Sequence, residues 1–198
     1  AWTSGAAERP FRLMRQASAA AAYASNANPA SIRATPSQSK FVQQHAEAAS
    51  RVEQASGLPS GFMLGQAGHE TGWGRHEIKH ANGAPSFNLF GIKATGGWNG
   101  KVAEITTTEY VNGVAQKPVA KFRAYDSYED SFKDYARLIT QSPRYAQVSQ
   151  QTDSAHAFAT GLQKAGYATD PEYAAKLSRA INSTLRLQQQ FAQASQGN

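Results

Sequence analysis

The chain has 198 residues, enough for one domain that buries roughly 70% of its unfolded surface and too few for a second domain of similar size. Hydrophobic residues make up 40% and charged residues 17%, which excludes a coiled coil and a wholly disordered chain, and no run of about 18 apolar residues could form a membrane-spanning helix. The absence of cysteine excludes disulfides, thiolate catalysis and cysteine-ligated metals, while Lys+Arg 20 against Asp+Glu 14 gives a net charge of +6 that draws the protein towards polyanions.

Residues 1–38 are rich in Ala, Ser, Asn and Gln, carry a single acid (Glu8) and have no sustained apolar period, so they read as a low-complexity linker or tail. Ala17 to Ala24 faintly resembles a signal peptide but lacks a Leu/Val-rich centre, and a cut from a longer protein accounts better for the first residue being Ala. Residues 39–198 then form the folded domain. Phe41, Val42, His45, Ala49, Val52 and Ala55 recur at three-to-four-residue steps and predict a first amphipathic helix that stops at Gly57-Leu58-Pro59. Ser60 is placed as the cap of a second helix, whose run from Phe62 to Glu70 is apolar enough to be buried, with Gly72 and Gly74 ending it.

From Ala81 to Tyr125 the composition shifts to Gly, Thr, Val and Asn. Alternation from Lys101 to Val111, followed by Asn112-Gly113 and a second β-rich run, predicts a hairpin. Asp126-Ser127 with Asp130 resembles a capping box for a helix through Phe132 and Ile139. Asp153 begins a stretch with Phe158 and Leu162, and Asp170-Pro171 opens the last helix with Pro at its first position. The fold class is therefore α+β, mostly α, with a small β lobe inserted between helices.

Glu70 falls in the last turn of the second helix. There the helix dipole disfavours a carboxylate and Trp73 beside it would exclude water, two conditions that prepare a general acid for glycoside cleavage. The bland alternative is a solvated glutamate at a helix end. His76-Glu77-Ile78-Lys79-His80 offers a rival chemistry, because H-E-x-x-H on a helix places two histidines one turn apart to hold zinc. The segment is short, has only Ile78 to bury, and has Ser86 where the extended pattern wants a third histidine, so a chance match is the preferred account and no metal is assigned. His45 and His156 are expected at helix surfaces. No basic block of five residues, zinc-finger spacing or RNA-binding aromatic motif supports nucleic acid as a partner.

Four ordered stretches, Glu70-Thr71-Gly72-Trp73-Gly74, Asn88-Leu89-Phe90-Gly91-Ile92-Lys93, Thr108-Glu109-Tyr110 and Gly166-Tyr167-Ala168-Thr169-Asp170-Pro171-Glu172-Tyr173, resemble the glucosaminidase domain of bacterial peptidoglycan hydrolases, glycoside hydrolase family 73. One departure is Gly68-His69 before the glutamate, where the family usually has small or aliphatic residues. The resemblance implies a lysozyme-like fold with a groove between helical body and β lobe, and cleavage of the β-1,4 bond between N-acetylglucosamine and N-acetylmuramic acid without a cofactor. A muramidase on the same fold is the alternative, and the zinc peptidase is the remaining one.

By position, the resemblance makes Glu70 the general acid, Glu109 the second carboxylate and Tyr167 the tyrosine near the reacting sugar. Glu109 also has a plain reading as an exposed strand carboxylate, and alternation along one continuous strand would put Glu104 on the opposite side from it. Trp73, Phe90 and Trp98 are candidate sugar platforms, with Phe90 favoured as core and Trp98 favoured as binding because it lies in a Gly-rich loop. Asn88 either hydrogen-bonds substrate or braces its loop. Within the family the resemblance is greatest to a wall-hydrolase domain joined by a similar linker to a flagellar rod-binding part. It implies a periplasmic, wall-associated monomer, not inserted in the membrane, that acts on peptidoglycan glycan strands together with flagellar rod proteins.

Overall fold

A capping box opens the ordered chain. Thr35 accepts the Gln38 N–H at its hydroxyl, and the Gln38 side chain accepts the Thr35 N–H, so α1 (Pro36–Ser56) starts three residues ahead of the boundary expected at residue 39. The computed structural model describes residues 34–107 and 109–197, without the side chains of Glu109 and Tyr110. The bulk of the expected linker, with the Ala17 to Ala24 stretch, lies outside the described residues. Gly57 closes α1 in the left-handed conformation, at φ 80°.

α2 (Ser60–Thr71) does not use Ser60 as its cap. Pro59 occupies that position, and the Glu53 carboxylate reaches from α1 to accept the Ser60 N–H at 2.6 Å, so an acid from the preceding helix satisfies the exposed end. Every residue from Gly61 to Gly68 is buried, as a helix without a polar face requires. A Cβ at Gly65 would lie 2.7 Å from the Ile181 Cα, so this glycine lets α2 cross the last helix at backbone contact.

The hairpin forms as two short ladders. β1 (Lys101–Thr106) pairs antiparallel with β4 (Val119–Ala124), and β2 (Glu109–Val111) pairs with β3 (Val114–Gln116) across Asn112-Gly113, whose φ values of 52° and 77° are those the two-residue turn demands. The strand is interrupted after Thr106, so the alternation expected from Lys101 to Val111 does not run unbroken from Glu104 to Glu109. Glu104 is exposed and sits 3.8 Å from Lys121 opposite it.

After the β lobe come α3 (Tyr128–Gln141), a 3-10 turn (Val148–Gln150), α4 (Ala155–Lys164) and α5 (Tyr173–Gln196), giving five α-helices among the described residues. Ser127 caps α3 by accepting the Asp130 N–H. Two starts differ from the sequence expectation. Ser154 rather than Asp153 caps α4, and Pro171 lies in a turn ahead of α5, where Asp170 accepts the Glu172 N–H and the helix proper begins at Tyr173.

One core gathers Phe41, Val52, Leu64, Phe132, Phe158, Leu177 and Ile181 from all five helices, and a small separate one under the β lobe holds Ile78, Ala103, Phe122 and Ala124. His45, expected at a surface, is buried among the rings of Phe41, Tyr128 and Phe132, and burial lowers its pKa to about 4; His156 is exposed. Among the described residues no helix is long and apolar enough to cross a membrane.

Candidate active site

The turn after Glu70 is built by three successive residues with positive φ, Gly72 (58°), Trp73 (59°) and Gly74 (87°). Thr71 ties it down, donating to the Ala67 carbonyl at 2.8 Å and accepting the Gly74 N–H at 3.0 Å. The indole of Trp73 folds back over α2, where a Cβ at Gly68 would lie 2.2 Å from it, and meets Phe41 edge-on at 5.9 Å. The departure at Gly68 thus has a physical reason: only glycine leaves room for this ring. Trp73 packs between α1 and α2 and stays partly exposed.

Glu70 is partly exposed at the mouth of a narrow pocket lined also by Thr71, His76, Ile78, Asn88, Leu89 and Gly91. The Tyr173 hydroxyl donates to Glu70 Oε1 at 3.1 Å. Behind Tyr173, Gln66 Nε2 donates to the Tyr173 hydroxyl oxygen at 3.0 Å, and the Tyr135 hydroxyl donates to Gln66 Oε1. Gln66 and Tyr173 were not singled out for the site from the sequence. The available signal was Gln66 itself, a polar residue one turn before Glu70 in an otherwise apolar helix.

Tyr167 is fully buried, its hydroxyl donates to the Phe90 carbonyl at 2.9 Å, and its ring stacks with Tyr173 at 6.0 Å, so in this structure it braces the wall behind Glu70. Burial pushes its phenol and that of Tyr135 well above the usual range, and the Glu70 charge adds to both. Phe90 is likewise core, fully buried and stacked on Tyr135 at 4.1 Å.

Asn88 resolves to the bracing role. Its Nδ2 donates to the carbonyls of Ile92 and Arg123, both at 2.9 Å, and its Oδ1 accepts the N–H groups of Phe90 and Ile92. One buried amide therefore closes the loop that lines the Glu70 pocket and fastens it to β4.

Trp98 lies elsewhere. Its Nε1 donates to the Lys101 carbonyl, the Arg123 guanidinium sits 4.7 Å over its ring, and Tyr125 meets it at 5.8 Å. With Lys101, Asp126, Lys133 and Arg137 it lines an open hollow of about 530 Å³ that shares no lining residue with the Glu70 pocket. Buried Asp134 anchors that region by accepting from Arg123, Tyr125 and Arg137. Glu109 has its backbone in β2, and its side chain lies outside the described residues.

The zinc motif fails on backbone geometry. His76 to His80 is not helical: Lys79 bridges to Pro85 and His80 bonds to Ala84 around the Asn82-Gly83 turn, so the two histidines are not one helical turn apart. Ile78 instead turns into the small core. Among the described residues no three His, Asp or Glu side chains are grouped to hold a metal ion.

The family described as Mannosyl-glycoprotein endo-beta-N-acetylglucosaminidase (Glucosaminidase) matches residues 46–186. The chain is 52% identical over 147 residues to the peptidoglycan hydrolase FlgJ of Escherichia coli (strain K12), covering 74% of this chain and 47% of that protein. It thus spans about half the length of the curated relatives it matches. Among solved structures, the glycoside hydrolase domain of Salmonella typhimurium FlgJ matches at 40% identity and TM-score 0.67, over 81% of this chain and 96% of that one. A peptidoglycan hydrolase from Sphingomonas sp. A1 matches at 47% identity and TM-score 0.66, over 76% and 93%. These solved domains bear out the lysozyme-like α+β class. With a glutamate at the end of a buried helix and a β lobe later in the chain, and a match that takes in both, the chain belongs to the glucosaminidase family, glycoside hydrolase family 73.

Proposed function

We propose that this domain hydrolyses the β-1,4 bond between N-acetylglucosamine and N-acetylmuramic acid in peptidoglycan, with Glu70 as the general acid. The observation that carries the reading is the Glu70 carboxyl, held at the mouth of its pocket by the Tyr173 hydroxyl. The carboxyl gives its proton to the leaving oxygen as the glycosidic C–O bond breaks. Glu109, or the substrate's own 2-acetamido group, stabilises the oxocarbenium-like centre until water attacks, and the Glu70 carboxylate then takes back a proton. No cofactor enters this scheme.

The relatives' names support the substrate, since FlgJ proteins are called peptidoglycan hydrolases. By the same likeness the domain works outside the cytoplasm, in the periplasm, and opens the wall for assembly of the flagellar rod. The net charge of +6 suits a substrate whose stem peptides carry carboxylates.

The test is digestion of purified peptidoglycan by the wild type and Glu70→Gln, with and without chelator, reading the new reducing ends by mass spectrometry after borohydride reduction. N-acetylglucosamine ends that ignore chelator and vanish in Glu70→Gln are expected. Muramic acid ends would make the enzyme a muramidase, and unchanged digestion by Glu70→Gln would remove the glycosidase mechanism proposed.

A further inference from the structure

The hydrogen bonds behind Glu70 run in one direction, and chemistry fixes which. A carboxylate only accepts, so the Tyr173 hydroxyl 3.1 Å from Oε1 must donate to it. A hydroxyl has one proton to give, so the Tyr173 oxygen must itself accept, and Gln66 Nε2 supplies that donor at 3.0 Å. This orientation of the amide turns the Gln66 carbonyl towards Tyr135, whose hydroxyl donates to it. Gln66, Tyr135 and Tyr173 are each fully buried, and they come from α2, α3 and the first residue of α5. Reversing any one link would set two donors or two acceptors against each other in the core.

We infer that Tyr135, Gln66 and Tyr173 form a one-way donor relay that holds the Glu70 carboxyl in its working orientation, with Tyr173 as its positioning residue. The inference rests on Glu70 being the general acid. With Oε1 always an acceptor, the acid proton belongs on Oε2, so one oxygen of the carboxyl is designated for transfer. Once the proton has left, the same Tyr173 hydroxyl stabilises the carboxylate with no rearrangement of the wall. Burial keeps the Tyr135 phenol protonated, so the first donor of the relay stays intact across the working pH range.

Other titratable groups near Glu70 are His69 on its own helix, whose ring lies 5.5 Å from that of Tyr173, His76 across the pocket, and Tyr167 from the segment ahead of α5. The Tyr167 hydroxyl donates to the Phe90 carbonyl and not into the relay.

The experiment compares Tyr173→Phe, Tyr135→Phe and Glu70→Gln with wild type: kcat and KM on solubilised glycan strands, the pH–rate profile, and the unfolding temperature. For Tyr173→Phe, kcat should fall roughly 10- to 100-fold with KM little changed, and the alkaline limb should move up by about one pH unit, because the charged form of Glu70 has lost a donor. Tyr135→Phe frees the Gln66 amide to rotate and should shift the limb the same way by less. A merely structural role would lower the unfolding temperature and leave the limb in place; that result in both Phe variants, with Glu70→Gln inactive, overturns the relay alone. Should Tyr173→Phe not fold, Gln66→Met with Tyr135→Phe carries the same test. Activity surviving in Glu70→Gln overturns the general-acid reading and the relay with it.

Discussion

The two sides of the proposed groove are built to different standards. On the helical side, Glu70 stands on a helix buried from Gly61 to Gly68, with three buried polar side chains ordered behind it. On the β side, a two-stranded ribbon covers a small core of Ile78, Ala103, Phe122 and Ala124, with Ile105 and Ala120 partly buried against it, and Val102, Val111, Val114 and Val119 are left exposed. A two-stranded ribbon with one thin apolar layer is marginal by itself, so its position depends on ties along β4: backbone bonds to the segment from Ser86 to Ala94, the Asn88 amide on the Arg123 carbonyl, and Arg123 on Asp134. Under the proposed mechanism, the interior would fix the acid and the ribbon, as an arm, would carry the second carboxylate.

The sharpest way to break this comparison is to remove each carboxylate. Glu70→Gln should lower hydrolysis of purified peptidoglycan by roughly 10²- to 10⁴-fold with the fold intact by circular dichroism. Glu109→Gln should lose less if the substrate's acetamido group shares the work, and equal losses would show that the arm is held as firmly as the body.

Next in size is the tie between the two sides. Asn88→Ala removes the acceptor of two buried N–H groups, Phe90 and Ile92, and one donor to each of the Ile92 and Arg123 carbonyls, of which Ile92 keeps the Arg123 N–H; this should cost about 2 kcal/mol in urea unfolding and should weaken activity beyond the loss of stability, because the loop beside Glu70 is loosened. An Asn88→Ala protein of normal stability would mean that the loop is braced by something other than this amide.

Much of the body was legible in the sequence, because helix periodicity and caps are local. The steps from Phe41 to Val52 and the Asn112-Gly113 turn both appear where the pattern puts them. Local patterns failed where a partner came from far along the chain. Ser60 looked like a cap, but Glu53 supplies the acceptor from the previous helix. His45 looked like a surface residue until Tyr128 and Phe132 closed over it. Near the proposed site, the helix end that carries Glu70 was legible through its Gly-rich turn. Tyr167 and Tyr173 share another motif, and which hydroxyl reaches Glu70 depends on how α5 begins against α2, which no local signal encodes. The His76 to His80 pattern had suitable residues on an unsuitable backbone.

His45 gives a pH test confined to the body. Its pKa falls from 6.5 in the unfolded chain to about 4 in the fold, so the native state holds it neutral. The sign follows: its stabilising effect is full above pH 6.5 and is lost as the pH falls towards 4, where the unfolded chain binds the proton first, a swing of about 3 kcal/mol at most. Urea unfolding at pH 7 and pH 4.5 should show that loss in wild type, and His45→Gln should flatten it. Equal pH slopes in the two proteins would show that His45 does not cause the acid sensitivity.

The smallest effect should come from the tip of the arm. Val114 is 62% exposed and faces Val111 across the β2–β3 ladder, so Val114→Thr keeps a β-branched residue and loses only part of one cross-strand apolar contact. The expected cost is below about 0.5 kcal/mol, within the range of ordinary surface changes. Activity gives the more informative reading. If the exposed valines only decorate the ribbon, kcat and KM stay where they were; if KM rises while stability is unchanged, the tip touches the glycan strand, and the arm helps to bind substrate as well as to carry Glu109.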